Sequence, residues 1–287
     1  MSIEIAPVVS ASRRSMAGFQ GVTFVDVKAL GMAASPIAAF DDFRVDDMPF
    51  SPHPHAGFAA VTYVLRNSMG AARSRASTGE DVTVGPGGVI WTDSGSGIVH
   101  EEVPADPDLE LHGLQLFVNR SAASKLDPPR VQWLEGTEVP TWRDGAGNVV
   151  HVVTGSFGGV ESPIDPIEPF VLLDADVGSR ISFEQPSGYH TLVYVLDGDV
   201  VLTAPGSSGV PLRSGQATAI LGGPGVVEIA GSRASAVIVA GGPAINDPVV
   251  MRGSFMMNDM EQIEAAMRRY QSGEMGHLES VSGHGRS

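Results

Sequence analysis

Apolar and polar residues alternate in short bursts along most of this chain, and Gly or Pro separates the bursts. A period of two marks a strand with one buried face, and turn residues at this density point to an all-β chain. In the first half, residues 21–27, 58–66, 81–84, 88–92 and 111–119 read as strands. Residues 1–15 read as a loose polar terminus, 31–52 as loop with short extended pieces, and 67–78 as a polar connection. Residues 128–147 look like a connector, and eight further strands are expected after it, from 151–154 to 236–240. A single helix is expected late, with Asn258 as N-cap and Glu261 three residues on. Met260, Ile263, Met267 and Tyr270 share one face of it, and Gly273 can end it.

The pattern repeats. Val61-Thr62-Tyr63-Val64-Leu65 resembles Leu192-Val193-Tyr194-Val195-Leu196, and Ser96-Gly97-Ile98-Val99-His100 resembles Pro224-Gly225-Val226-Val227-Glu228. Two duplicated β-barrels follow, with a boundary expected between residues 135 and 136, the C-terminal helix belonging to the second half. The first barrel carries the chemistry. His53-Pro54-His55 and His100-Glu101-Glu102 each place two ligand-type side chains two residues apart. In a strand such a pair projects from one face. If both strands line one wall, His53, His55, His100 and Glu102 converge on one point. Sliding the second half onto the first puts Glu184, Pro186, Glu228 and Ala230 at those places, so the second barrel is expected to be metal-free.

Three neutral imidazoles and a carboxylate suit Fe(II), with other divalent transition metals as possible occupants. Glu102 is the candidate base, being the carboxylate of the set. Several other residues have plainer expected roles: His112 and His190 as packed or surface imidazoles, and Glu101, Asp41 and Asp42 as solvated carboxylates. His284, in the polar tail, is not expected to hold a metal.

Composition narrows the classes. The 287 residues are 43% hydrophobic and 18% charged, enough for a sizeable core. A net charge of −15 repels nucleic acid and anionic membrane surfaces. The chain has no Cys, hence no disulfides or thiolate ligands, and the first 20 residues lack the apolar run of a signal peptide. A cytoplasmic protein is expected.

The chain resembles the pirin family of bicupins. The resemblance rests on His53-Pro54-His55-x-Gly57-Phe58, Gly95-x-Gly97-Ile98-Val99-His100-x-Glu102, Leu114-Gln115-Leu116-Phe117-Val118-Asn119 and Gly253-Ser254-Phe255-Met256-Met257-Asn258. It implies two tandem cupin barrels with iron held by His53, His55, His100 and Glu102. It also implies either a dioxygenase of the quercetin 2,3-dioxygenase type, an oxidoreductase taking a phenolic or enol substrate and O2, or a non-catalytic, redox-responsive regulator with a protein partner. Ala56, Ala59 and Ala60 depart from the family pattern, as does the loop at 70–78, and these positions are expected around the cavity.

Overall fold

The structure, a computed structural model, describes residues 3–14, 21–45, 51–231 and 234–280; His284 lies outside the described residues. Strands dominate it, as the alternation requires. They gather into two units. One holds Asp41–Glu138 and Asn246–Ser287 with the short Arg14–Val22, and the other holds Met1–Arg13, Thr23–Phe40 and Val139–Ile245. A single cut after residue 135 therefore misses an exchange of ends. The helix Met260–Gln271, expected with the second half, buries Ile263 and Ala266 in one cluster with Ala56 and Val99 of the first and with Phe255, Met257 and Met275 of its own stretch of chain. Residues 3–14, expected as loose terminus, instead form strands. Ile3–Ile5 and Val9–Ser10 pair with Gln216–Gly222 and bring the start of the chain into the other unit.

In the unit that carries both histidine motifs, two antiparallel sheets face each other. The smaller has four strands in the order His53–His55, Ile98–Pro104, Ala72–Ala76, Asp81–Val84. The larger runs Arg130–Leu134, Val89–Asp93, Phe58–Val64, Leu111–Asn119, and then the Asp41–Val45 part of the strand Ile37–Val45. Pro54 fits because His53–His55 is an edge strand, where a missing N–H breaks no ladder. Residues 67–78, expected as a connection, contain the strand Ala72–Ala76; its own alternation, buried at Ala72, Ser74 and Ala76, is masked by Arg at the outward positions.

Ile37–Val45 is a nine-residue strand where loop was expected. Asp42 is not solvated as anticipated: its Oδ1 lies 2.8 Å from His112 Nε2, which explains why a His can be buried at that position. Asp41 is partly buried, and burial pushes its carboxyl up from the ordinary 3.8 to about 6. The folded chain thus holds that proton more tightly than the unfolded one. The favourable contribution is complete below the unfolded value and is lost as the pH rises through about 6. Asp41→Asn is expected to raise stability by ~1–2 kcal/mol near neutral pH, with most of the gain gone by about pH 4.5. Denaturant unfolding at the two pH values measures it; an equal effect at both would contradict the assignment.

The second unit repeats the arrangement. Its four-stranded sheet runs Arg180–Gln185, Gly225–Gly231, Asp199–Thr203, Val210–Arg213, and its larger sheet is built on Tyr189–Asp197, Ser235–Pro243 and Val171–Val177. Val150, Leu173, Val193, Val195, Ile229 and Val239 fill its core. The helix N-cap is Asp259 rather than Asn258, its side chain accepting from Gln262 N–H. Gly273 does stand past the helix end, at φ 79°, with Glu274 N–H closing back on Arg269.

Candidate metal centre

The ladder between the edge strand and its neighbour sets His53 directly opposite His100 and His55 opposite Ile98. Because side chains alternate, His53, His55, His100 and Glu102 all face the barrel interior. The three imidazoles meet there: one ring nitrogen from each lies within 4.8 Å of the others, and the ring centroids are 4.7–4.8 Å apart. His53 Nδ1–H donates to the Ser51 carbonyl at 3.0 Å, and His55 Nδ1–H to the Ser254 carbonyl at 3.3 Å. Both Nε2 atoms are then left as lone pairs, and they face each other at 3.1 Å.

Two lone pairs that close repel unless a cation lies between them. Metal–nitrogen bonds of about 2.1 Å at a right angle would put neighbouring nitrogens about 3.0 Å apart. The spacing fits an ion. Protonation of the rings is a poor alternative, because burial holds His55 down to about 3 and His100 well below its ordinary value, with His53 lowered in the same way.

Glu102 stands beside this group and is not gathered into it. Its Oε1 is 3.9 Å from His100 Nδ1, and both atoms are buried without a hydrogen-bond partner. Its Oε2 accepts from Thr62 Oγ1 at 2.5 Å, and Ser74 also bonds the carboxyl. Burial nevertheless pushes Glu102 up to about 7. Gln115 completes the row: its Nε2 donates to the Val61 carbonyl at 3.2 Å, which turns Oε1 toward Thr62 Oγ1 at 3.0 Å. Thr62, Ser74 and Gln115 escaped the sequence reading. A signal existed: each lies on the interior face of its strand, and Ser74 pairs directly opposite Glu102.

Glu101 departs from expectation. It is 2% exposed, not solvated, because the end of the chain covers the outer face of its sheet: Arg75 bridges it at 3.2 Å and Ser280 Oγ donates to it at 3.1 Å. The positions that depart from the family pattern also divide. Ala60 shares the face of Thr62, while Ala59 points the other way along the same strand. Ala56 belongs to the cluster around Phe255 and the late helix, not to the interior. Beside the imidazoles the wall is aromatic, with Phe58 and Phe117 centred 5.0 and 5.7 Å from the His55 ring.

In the second unit the register corrects the expected superposition. Glu228 pairs with Ser182, and Val226 with Glu184. Ser182 and Glu184 therefore stand where His53 and His55 do, two residues earlier than Glu184 and Pro186. Glu228 meets Arg180 there at 3.5 Å.

Residues 9–118 match the family model Pirin, and residues 170–276 match the Pirin C-terminal cupin domain. A Pseudomonas aeruginosa protein named "Putative quercetin 2,3-dioxygenase" is 34% identical over 244 residues, covering 82% of this chain and 83% of that protein. The chain belongs to the pirin family. Human Pirin is 31% identical over 249 residues, 84% of this chain and 83% of its own length. Two solved structures show how widely the pirin bicupin fold is shared. A quercetin 2,3-dioxygenase from Acinetobacter baumannii superposes with a TM-score of 0.82 at 23% identity, covering 96% of this chain and 99% of that one. A bacterial pirin from Escherichia coli in complex with nickel(II) superposes at 0.61 with 16% identity, covering 85% and 100%. Among the described residues of this pirin family member, no helix is long and apolar enough to cross a membrane.

Proposed function

We propose that this pirin family member is a metal-dependent dioxygenase acting on a flavonol-like enol. The observation that carries the reading is the meeting of His53, His55 and His100 on an interior face, two of them with lone pairs fixed toward each other. His53, His55, His100 and Glu102 would hold the metal, with Fe(II) the occupant we favour; the names of similar proteins support both a metal and a phenolic substrate. When bound, such an ion would supply Lewis-acid and oxygen-activating chemistry.

The remaining tasks fall to the chain. Phe58 and Phe117 place apolar rings edge-on beside His55, surroundings suited to an aromatic substrate and unsuited to water. Glu102 takes the enol proton at Oε1, the oxygen that Thr62 leaves free. A carboxyl raised to about 7 is matched to proton transfer near neutral pH. Held by a metal, Glu102 would be a weaker base, so ligation and proton transfer would compete at Oε1. Thr62 Oγ1 donates to Oε2 and holds that oxygen in place.

Oxygen uptake is the test. Iron-loaded protein given quercetin is expected to consume O2, and His55→Ala to reduce the rate to background. Unchanged turnover in His55→Ala would remove the site. Absence of uptake by the iron-loaded parent across a panel of flavonols and simpler enols would remove the reaction.

A further inference from the structure

Lys125 is 1% exposed, in the unit that carries the histidines, and the chemistry above has no use for it. Lys is rarely buried unless fully partnered. Here its Nζ donates to Asn119 Oδ1 at 2.6 Å, the Gly57 carbonyl at 2.8 Å and the Met256 carbonyl at 3.1 Å. An ammonium has three protons, and each finds an acceptor. None of the three acceptors is a carboxylate, so this is not an ion pair. Burial draws the ammonium down to about 8, a sign that holding a charge there is costly.

What the charge joins gives it a purpose. Gly57 lies two residues beyond His55, and Met256 two residues beyond Ser254, whose carbonyl accepts from His55 Nδ1. Between those points Ala56 and Phe255 form a parallel bridge, and Met256 N–H donates to the Ala56 carbonyl at 3.0 Å. The ligand segment and the late hairpin, in which Val250–Arg252 pairs with Phe255–Met257, are thus fastened at a backbone bridge and again at Lys125. The His55–Ser254 bond, at 3.3 Å, is the long member of the set and has no other fastening of its own. A slip between the two segments would break it first.

We infer that Lys125 is a positioning residue of the metal centre: by pinning the Gly57 and Met256 carbonyls together it keeps the Ser254 carbonyl against His55 Nδ1. That bond fixes His55 in the tautomer whose Nε2 presents a lone pair to the other imidazoles. The inference rests on the reading of the three histidines as ligands. Outer partners that orient a metal-bound imidazole matter on a known scale: their loss weakens metal binding ~10–100-fold. Lys suits the place because three acceptors converge on a compact ammonium, a geometry that the planar fork of Arg does not match.

The test is Lys125→Met, which keeps length and apolar stem and removes the three donors. Two readouts separate positioning from plain stabilisation. Zinc(II) affinity by chelator competition is expected to fall ~10–100-fold. Nitrogen-15 shifts of the His55 ring in metal-free protein are expected to change from the Nδ1–H tautomer to a mixture. A lower Tm with both unchanged would overturn the inference. If the variant does not fold, the parent protein decides: metal-free His55 found as the Nε2–H tautomer overturns it, and as the Nδ1–H tautomer supports it. Zinc(II) that leaves all three imidazole signals unmoved would remove the ligand reading and with it the role in a metal centre; the tautomer in Lys125→Met would then report only whether Lys125 holds the Ser254 carbonyl against His55.

Discussion

Replacing His100 by Ala is expected to abolish the stabilisation that a bound divalent metal gives this protein. At a free metal concentration about 100 times Kd, binding to the folded state alone adds ~2.7 kcal/mol. For a chain of this size that corresponds to a rise in Tm of ~5–10 °C. His100 is central to the effect because it is 2% exposed, faces His53 across the ladder and has its Nδ1 buried without a partner. His100→Ala should therefore melt at the same temperature with metal as with chelator, while the parent separates the two conditions. Persistence of the metal-dependent shift in the variant would show that the ion sits elsewhere. The change in the metal-free protein is expected to be small by comparison, since the substitution also removes an unsatisfied buried nitrogen.

Gly57→Ala is expected to be the most damaging single methyl addition near the site. Gly57 has φ +87°, a region costly for any side chain, at ~1–3 kcal/mol. A Cβ there would also stand 1.9 Å from the Met256 carbonyl oxygen and 3.0 Å from Met257 Sδ. That carbonyl cannot simply retreat, because Lys125 donates to it and the adjoining N–H is bonded to Ala56. The two costs together come to about 3 kcal/mol or more, a fall of ~6–12 °C in Tm. Gly79→Ala supplies the comparison. Its φ is +111°, but nothing lies within 4 Å of the added carbon, so it should show the backbone cost alone. Equal losses in the two variants would contradict the close approach of the hairpin to Gly57. Metal affinity should fall with Gly57→Ala and hold with Gly79→Ala, because the first displaces the segment that follows His55.

The pair of variants also shows how far residue patterns reach. Gly57 is recognisable in the sequence as a turn-type residue after a strand, but the carbonyl that forbids a side chain there comes from Met256. The same divide runs through the metal centre. The spacing of His53, His55, His100 and Glu102 put all four on one interior face, yet three converge as a group while Glu102 stands aside, held by Thr62 and Ser74. The duplication was legible in two matched pentapeptides. Its register was not: Ser182 and Glu184, and not Glu184 and Pro186, oppose the Gly225–Gly231 strand at the places of His53 and His55.

The sequence by itself determined that the chain is all-β, that it contains two related halves, and that metal-ligand residues lie in the first. These follow from period-two alternation and i, i+2 spacing, which are local properties of a strand. Only the tertiary structure decided that Ile3–Ile5 and Val9–Ser10 pair with Gln216–Gly222, that the Met260–Gln271 helix packs with the first-half barrel, and that Glu101 and Lys125 are buried. Each of these depends on which distant segment covers a given face, and alternation says only that a face is covered, not by what.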